Sequence, residues 1–181
     1  MRPAVMEGQR VSLAVLLRDD LPVVWRWYND RRVRAYLSRP YDVLFYEDEV
    51  EWYERIRRER ERHRVFAVVT REQKRLVGVV GLHDIEPTSG TAEIGYFIGP
   101  EYWNRGYGTE AVSLAVDYAF TWLNLRKLFA RVYEPNRPSI AILESNGFRR
   151  AGRLRRHQYV PGEGFVDVLI YERFRDGEGV V

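Results

Sequence analysis

The 181 residues, 45% apolar and 30% charged, suffice for one domain with its own core and exclude a disordered or collagen-like chain. There is no cysteine, which excludes disulfide frameworks, thiol nucleophiles and thiolate metal sites, and His63, His83 and His157 lack ligand-like spacing, so no metal is expected. The formal charge is +3, and all but Lys74 and Lys127 of the 29 basic residues are arginine, whose planar fork grips phosphate or carboxylate. A charge this small selects no class of partner. The first residues hold no signal-peptide pattern, and no apolar run approaches the roughly 18 residues of a membrane span, so a soluble cytoplasmic protein without a membrane partner is expected.

In chain order, Val11 to Leu17 reads as a strand ended by Arg18-Asp19-Asp20, where Asp19 or Asp20 can cap a helix from Leu21 to Asn29. From Glu47 to Arg64 a thin stripe of Val50, Tyr53 and Ile56, with Glu51/Arg55 and Glu54/Arg58 four apart, predicts an exposed helix. Val65–Thr70 and Leu76–Ile85 read as a hairpin around Arg71-Glu72-Gln73-Lys74, and Glu86 to Gly90 as the next turn. In the strand Thr91–Ile98, Ala92, Ile94, Tyr96 and Ile98 share one face and Glu93 points to the other. Gly95 inside it signals a bulge or the close approach of another backbone or a ligand.

A helix from about Gly108 to Leu123 carries a polar stripe of Glu110, Ser113, Asp117, Thr121 and Asn124. Lys127–Tyr133 is a further strand, and Pro138 and Gly147 bracket a short helix. Arg153–Val160 and Phe165–Phe174 form the last strands around Pro161-Gly162-Glu163-Gly164. Residues 1–9 and 175–181 are expected to be mobile ends of one domain spanning 1–181.

The segment richest in chemistry is Tyr102-Trp103-Asn104-Arg105-Gly106-Tyr107-Gly108-Thr109-Glu110-Ala111. Glycines just ahead of a helix let successive N–H groups converge, and the helix N-terminus adds about half a positive charge, which together suit a pyrophosphate. A plain helix-capping turn has the same spelling. It is neither a Walker loop nor a dinucleotide fingerprint, lacking Gly-Lys-Ser/Thr and a third glycine.

Two blocks give this loop a context: Ala92-Glu93-Ile94-Gly95-Tyr96 running into Trp103 to Ala111, and Asn136-Arg137-Pro138-Ser139 running into Glu144-Ser145-Asn146-Gly147-Phe148. With the element order, they make nearly the whole chain resemble the Gcn5-related N-acetyltransferase (GNAT) family, in particular its ribosomal-protein N-terminal acetyltransferases of the RimJ/RimL type. The resemblance implies an α/β (α+β) single-domain GNAT fold, a mixed, mostly antiparallel sheet of about seven strands flanked by about four helices. It implies acetyl-CoA as co-substrate, held in a gap between the strand around Tyr96–Ile98 and the strand Lys127–Tyr133.

By that resemblance the N–H groups of Arg105, Gly106, Tyr107, Gly108 and Thr109 hold the CoA phosphates, with the Arg105 side chain and Thr109 hydroxyl as additions. Phe97 and Ile98 offer backbone groups to pantetheine, or are plain core. Asn136 and Ser139 approach the pantetheine and thiol end, or simply cap a helix. Glu93 is the candidate base, through a water, or else a carboxylate paired across the sheet. Leu143 stands where many members carry a tyrosine acid, leaving Ser139 as the substitute by position, and Gln158 stands where some RimL-like members carry a glutamate.

The acceptor implied is a primary amine. The resemblance implies a protein N-terminus, which asks less of a base: an α-amine of pKa ~8 is roughly a tenth neutral at pH 7, against about one lysine in 2,500. Polyamines or aminoglycosides are the alternative, for which the acidic knot of Glu47, Asp48, Glu49 and Glu51 argues, though such residues are ordinary at a helix start. A non-catalytic CoA-binding or RNA-contacting module is a further alternative. The arginine clusters 55–64 and 149–156 read as solvated faces, or as docking for an acidic protein or RNA; nucleic acid is not the expected partner, and a homodimer is a family expectation. With no cysteine to accept the acetyl group, transfer is expected to be direct.

Overall fold

The computed structural model describes residues 2–177. Eight strands, β1 (Ala4–Glu7), β2 (Val11–Val15), β3 (Arg64–Thr70), β4 (Leu76–Glu86), β5 (Thr91–Ile98), β6 (Lys127–Tyr133), β7 (Arg149–Val160) and β8 (Gly164–Phe174), form one sheet in the order β1-β2-β3-β4-β5-β6-β8-β7. Five α-helices accompany them among the described residues: α1 (Leu21–Asn29), α2 (Arg31–Arg34), α3 (Tyr46–Arg58), α4 (Tyr107–Asp117) and α5 (Arg137–Ser145). α4 runs on into a π turn over Tyr118–Trp122. Every neighbouring strand pair is antiparallel except β5 with β6.

The period-2 patterns explain the layering. Ala92, Ile94 and Ile98 pack with Ala111, Val112 and Ala115 of α4 and Ile140 and Leu143 of α5 in the larger core. On the other side of the sheet Ala67, Val69 and Val79 pack with Val24 of α1 and Ile56 of α3, with Phe97 against them. The sheet is therefore covered on both faces, as β3 and β4 require with their runs of buried valine.

The sequence left out two elements and misjudged others. β1 is short, mostly exposed and without clear alternation, yet it pairs with β2 inside the segment expected to be a mobile end. α2 is one turn, capped by the Asp30 side chain on Arg32 N–H. Asp20 precedes α1 but caps the turn before it, accepting from Leu17 N–H at 2.8 Å and from Arg2. α3 ends at Arg58, because residues from Arg64 onward are drawn into pairing with Leu82. The expected Glu54/Arg58 pair gives way to Glu54 with Arg18 and Arg57. At the other end Arg175 N–H donates to Arg126 O, so the expected mobile tail begins tied down; its residues 178–181 lie outside the described residues.

One irregularity positions the site. β5 and β6 pair through Thr91↔Lys127, Ala92↔Leu128 and Glu93↔Phe129 and then part, β5 continuing along β4 and β6 along β8. Gly99 N–H donates to Val77 O, so in the β4–β5 ladder the bonded pairs are those of Phe97, Gly95 and Glu93. The backbone groups of Ile94, Tyr96 and Ile98 consequently face the gap.

Candidate active site

At the open end of the gap, the chain turns over Pro100–Tyr102 and enters α4 through Asn104 (φ 58°) and Gly106 (φ 76°). Gly106 is the N-cap, and the first helical bond runs from Glu110 N–H to Gly106 O, so the N–H groups of Tyr107, Gly108 and Thr109 precede the ladder. They stand free for an anion where the helix dipole is positive. The loop is braced from three sides. Trp103 Nε1 donates to Ile98 O at 2.7 Å, Arg10 Nη1 to Arg105 O at 3.0 Å, and Asn146 Nδ2 to Thr109 O at 3.1 Å. Glu110 accepts from the backbone N–H groups of Gln9 and Arg10, tying the β1–β2 turn to the first turn of α4. The Arg105 side chain folds back onto Glu101 O and the Tyr102 ring while remaining exposed.

Across the gap, Tyr96 reaches from β5 to the start of α5. Its hydroxyl lies 2.9 Å from Ser139 Oγ and 3.1 Å from Ser139 O. Burial pushes the Tyr96 phenol up from its ordinary value, keeping it a proton donor. Asn136 Oδ1 accepts from Ser139 N–H at 3.3 Å, so the capping reading of Asn136 holds. Leu143 is fully buried in the larger core. Phe97 differs from the expectation: the ladder directs its backbone toward Val79 and its ring packs against Trp27 and Tyr28, so Tyr96 and Ile98 are the residues whose backbone faces the gap.

The opposite face of β5 is polar. Both Glu93 oxygens accept from Arg131 at 2.8 Å, a bidentate pair across the last residues where β5 and β6 still pair. Of the two readings of Glu93, a base or a carboxylate paired across the sheet, the geometry has the pairing. His83, opposite Glu93 on β4, lies over Gly81 and Gly95: a Cβ on Gly81 would stand 2.5 Å from His83 Nε2 and one on Gly95 3.6 Å from Cδ2. The close approach is thus at Gly81, while Gly95 is neither a bulge nor crowded, lying in ordinary contact with the same ring. The segment between α2 and α3 flanks this face, joined to the β7–β8 hairpin by Tyr36 OH on Glu163 and to the end of β6 by Tyr133 OH on Leu37 O. Tyr41, Val43 and Phe45 stand 62%, 69% and 69% exposed along it. Of the acidic knot, Asp48 accepts from Phe45 N–H as part of the start of α3, and Glu49 is buried beside Tyr28, where desolvation raises its carboxyl to about 7. Glu47 and Glu51 remain exposed.

Arg105 to Thr109, Ile98, Asn136 and Ser139 thus meet around one end and one side of the gap, with Glu93 at its vertex on the other face. Sequence reasoning missed Tyr96, His83, Arg10 and Asn146. The alternation that placed Tyr96 on the α5 face could have found the first, and Gly81 paired with Gly95 could have found the second; the other two depend on long-range contacts.

The sequence profile of the Acetyltransferase (GNAT) domain matches residues 10–149. An uncharacterized N-acetyltransferase, p20 of Bacillus licheniformis, is 32% identical over 165 residues, 90% of this chain and 92% of that protein. The crystal structure of spermidine N-acetyltransferase from Vibrio cholerae, in complex with CoA and spermine, superposes with a TM-score of 0.85 at 27% identity, covering 94% of this chain and 98% of that one. RimL, a ribosomal L7/L12 alpha-N-protein acetyltransferase in complex with coenzyme A, shares the fold alone, with a TM-score of 0.84 at 18% identity over 97% of this chain and 100% of that one. The forked sheet, the glycine loop at its mouth and these matches have one explanation: the chain belongs to the GNAT acetyltransferase family.

Proposed function

We propose that this acetyl-CoA-dependent N-acetyltransferase delivers the acetyl group directly to the N-terminal α-amine of a protein or peptide, as the RimJ/RimL type does. The residues present fit coenzyme A. Three free N–H groups at a helix start suit a diphosphate, and the backbone edge of Tyr96 and Ile98 suits the amides of an extended pantetheine arm. Acetyl-CoA supplies the activated acetyl thioester. The Ser139 hydroxyl, bonded to Tyr96, is the proposed donor to the departing thiolate, taking the place left by Leu143. Glu93, held by Arg131, contributes a fixed negative charge at the vertex of the fork, where it orients a cationic amine.

The observation that carries the choice of acceptor is the exposed row of Tyr41, Val43 and Phe45, near which Asp48 is used in capping, Glu49 is buried and Glu93 is paired. An extended peptide suits an apolar row better than a polycation does. A second reading, a polyamine acceptor, is favoured by the likeness to the spermidine enzyme and by exposed Glu47 and Glu51. A thiol-release assay with matched amounts of N-terminal peptides, spermidine, spermine and an aminoglycoside separates them. Peptide turnover with kcat/KM at least tenfold above the polyamines is expected; the reverse order overturns the peptide assignment in favour of the second reading.

A further inference from the structure

We propose that His83 is the proton acceptor for the attacking amine. The inference rests on the acetyl-transfer reading of the fork and assigns the base to His83 in place of Glu93, whose two oxygens Arg131 holds. The imidazole starts on β4 and leans over the Gly81–Gly95 cross-strand pair, where neither residue has a side chain to block it. Its Cδ2 and Nε2 lie 3.6 and 3.8 Å from where a Gly95 Cβ would stand, so the ring borders β5, the strand that lines the gap, on the face opposite α4 and α5. Any residue but glycine at 81 would put its Cβ 2.5 Å from Nε2. No protein group hydrogen-bonds either His83 nitrogen among the described residues.

The charged surroundings are consistent with that task. Burial and the neighbouring His63 hold His83 below the usual imidazole range, while Glu93 and Asp84 act in the other direction; Arg131 on β6 and Arg62 pair with those two carboxylates. The ring is thus a neutral acceptor at pH 7. His63, 5.6 Å away between ring centres, has a buried Nδ1 without a partner, and its Nε2 is 3.5 Å from exposed Glu59 Oε2. This gives the proton a route to solvent. In the step itself an ammonium acceptor gives one proton to His83. The freed nitrogen lone pair forms the C–N bond to the acetyl carbonyl carbon as the C–S bond breaks, and Ser139 gives its proton to the thiolate and takes the second nitrogen proton in its place. The products are the acetamide, CoA thiol and one proton released through His83.

The test is His83→Gln assayed against an acceptor that the wild type turns over. Loss of kcat by about 10²- to 10⁴-fold is expected, with CoA affinity unchanged within twofold and partial recovery on adding free imidazole. The acid limb of the wild-type kcat/KM profile is expected to coincide with the His83 titration read by NMR, a measurement that needs no variant and stands if His83→Gln fails to fold. A His83→Gln rate within threefold of wild type, or an acid limb that does not follow the His83 titration, overturns the assignment. Wild-type protein that binds acetyl-CoA and releases no thiol with any amine defeats instead the acetyl-transfer reading on which it rests.

Discussion

The two faces of β5 are made from different materials. Toward α4 and α5, Ala92, Ile94 and Ile98 are core and the working parts are backbone N–H groups, helix caps and one phenol. Toward α1 and α3, the proposed acceptor chemistry falls to side chains brought together from the residue before β3 and from β4, β5 and β6: His63, His83, Glu93 and Arg131. The difference teaches that a cofactor common to a family can be held by backbone geometry, which local sequence specifies, whereas an acceptor is handled by side chains whose meeting depends on the whole sheet.

The sharpest way to break this division is Gly106→Val. A β-branched residue in the left-handed conformation of Gly106 costs about 1–3 kcal/mol, or roughly 5- to 150-fold, and the loss should fall on affinity for CoA and not for pantetheine without phosphates, as read by calorimetry. Equal loss for both ligands would mean that the loop does more than hold phosphate.

Next in size is Glu49→Gln on the acceptor side. In the folded protein Glu49 takes up its proton near pH 7, against an ordinary value of 4.5, so its stabilising contribution is complete below about 4.5 and is lost as pH rises through 7. Denaturant melts should show the variant more stable than wild type by about 1–3 kcal/mol at pH 8.5, with the gap closing toward pH 5. A constant gap at both pH values removes the buried carboxyl from the account.

Ser139→Ala and Tyr96→Phe should each lower kcat by roughly 3- to 10-fold, the worth of one net hydrogen bond. The double variant should be no worse than the weaker single one, since the two hydroxyls act as one pair. Full additivity would separate them. The smallest effect expected is on stability in Arg131→Gln: its side chain is 59% exposed, so melts should shift by about 1 kcal/mol or less. A higher KM for the amine alongside that small shift would place the Glu93–Arg131 pair in acceptor binding.

Much of the first face was legible in the amino-acid sequence. The Thr91–Ile98 alternation, Gly106 ahead of an amphipathic helix and Asn136 three residues before Ser139 are all local, and the structure keeps each one. Gly147 closes α5 with φ 76°, as its place past Asn146 predicts. The second face resisted. Glu93 reads as a base or as a paired carboxylate until Arg131, thirty-eight residues on, is seen to hold both its oxygens. His83 reads as a scattered histidine until register pairs Gly81 with Gly95 beneath it. β1 and α2 escaped notice for another reason: four residues each carry too few turns or alternations to register as a period.

The three residue pairs between β5 and β6 also set the mechanics of the molecule. They join two antiparallel half-sheets, β1–β5 and β6–β8, by a seam far shorter than any other long-strand pairing here. A short seam opens at lower free energy than the halves it joins, so amide exchange within β5 should be fastest at the Tyr96 and Ile98 N–H groups, which face the gap beyond the seam. A ligand lying along those groups takes over the missing ladder. Bound co-substrate should then act as a removable strand, slowing exchange in both half-sheets together and raising the melting temperature in step with its concentration.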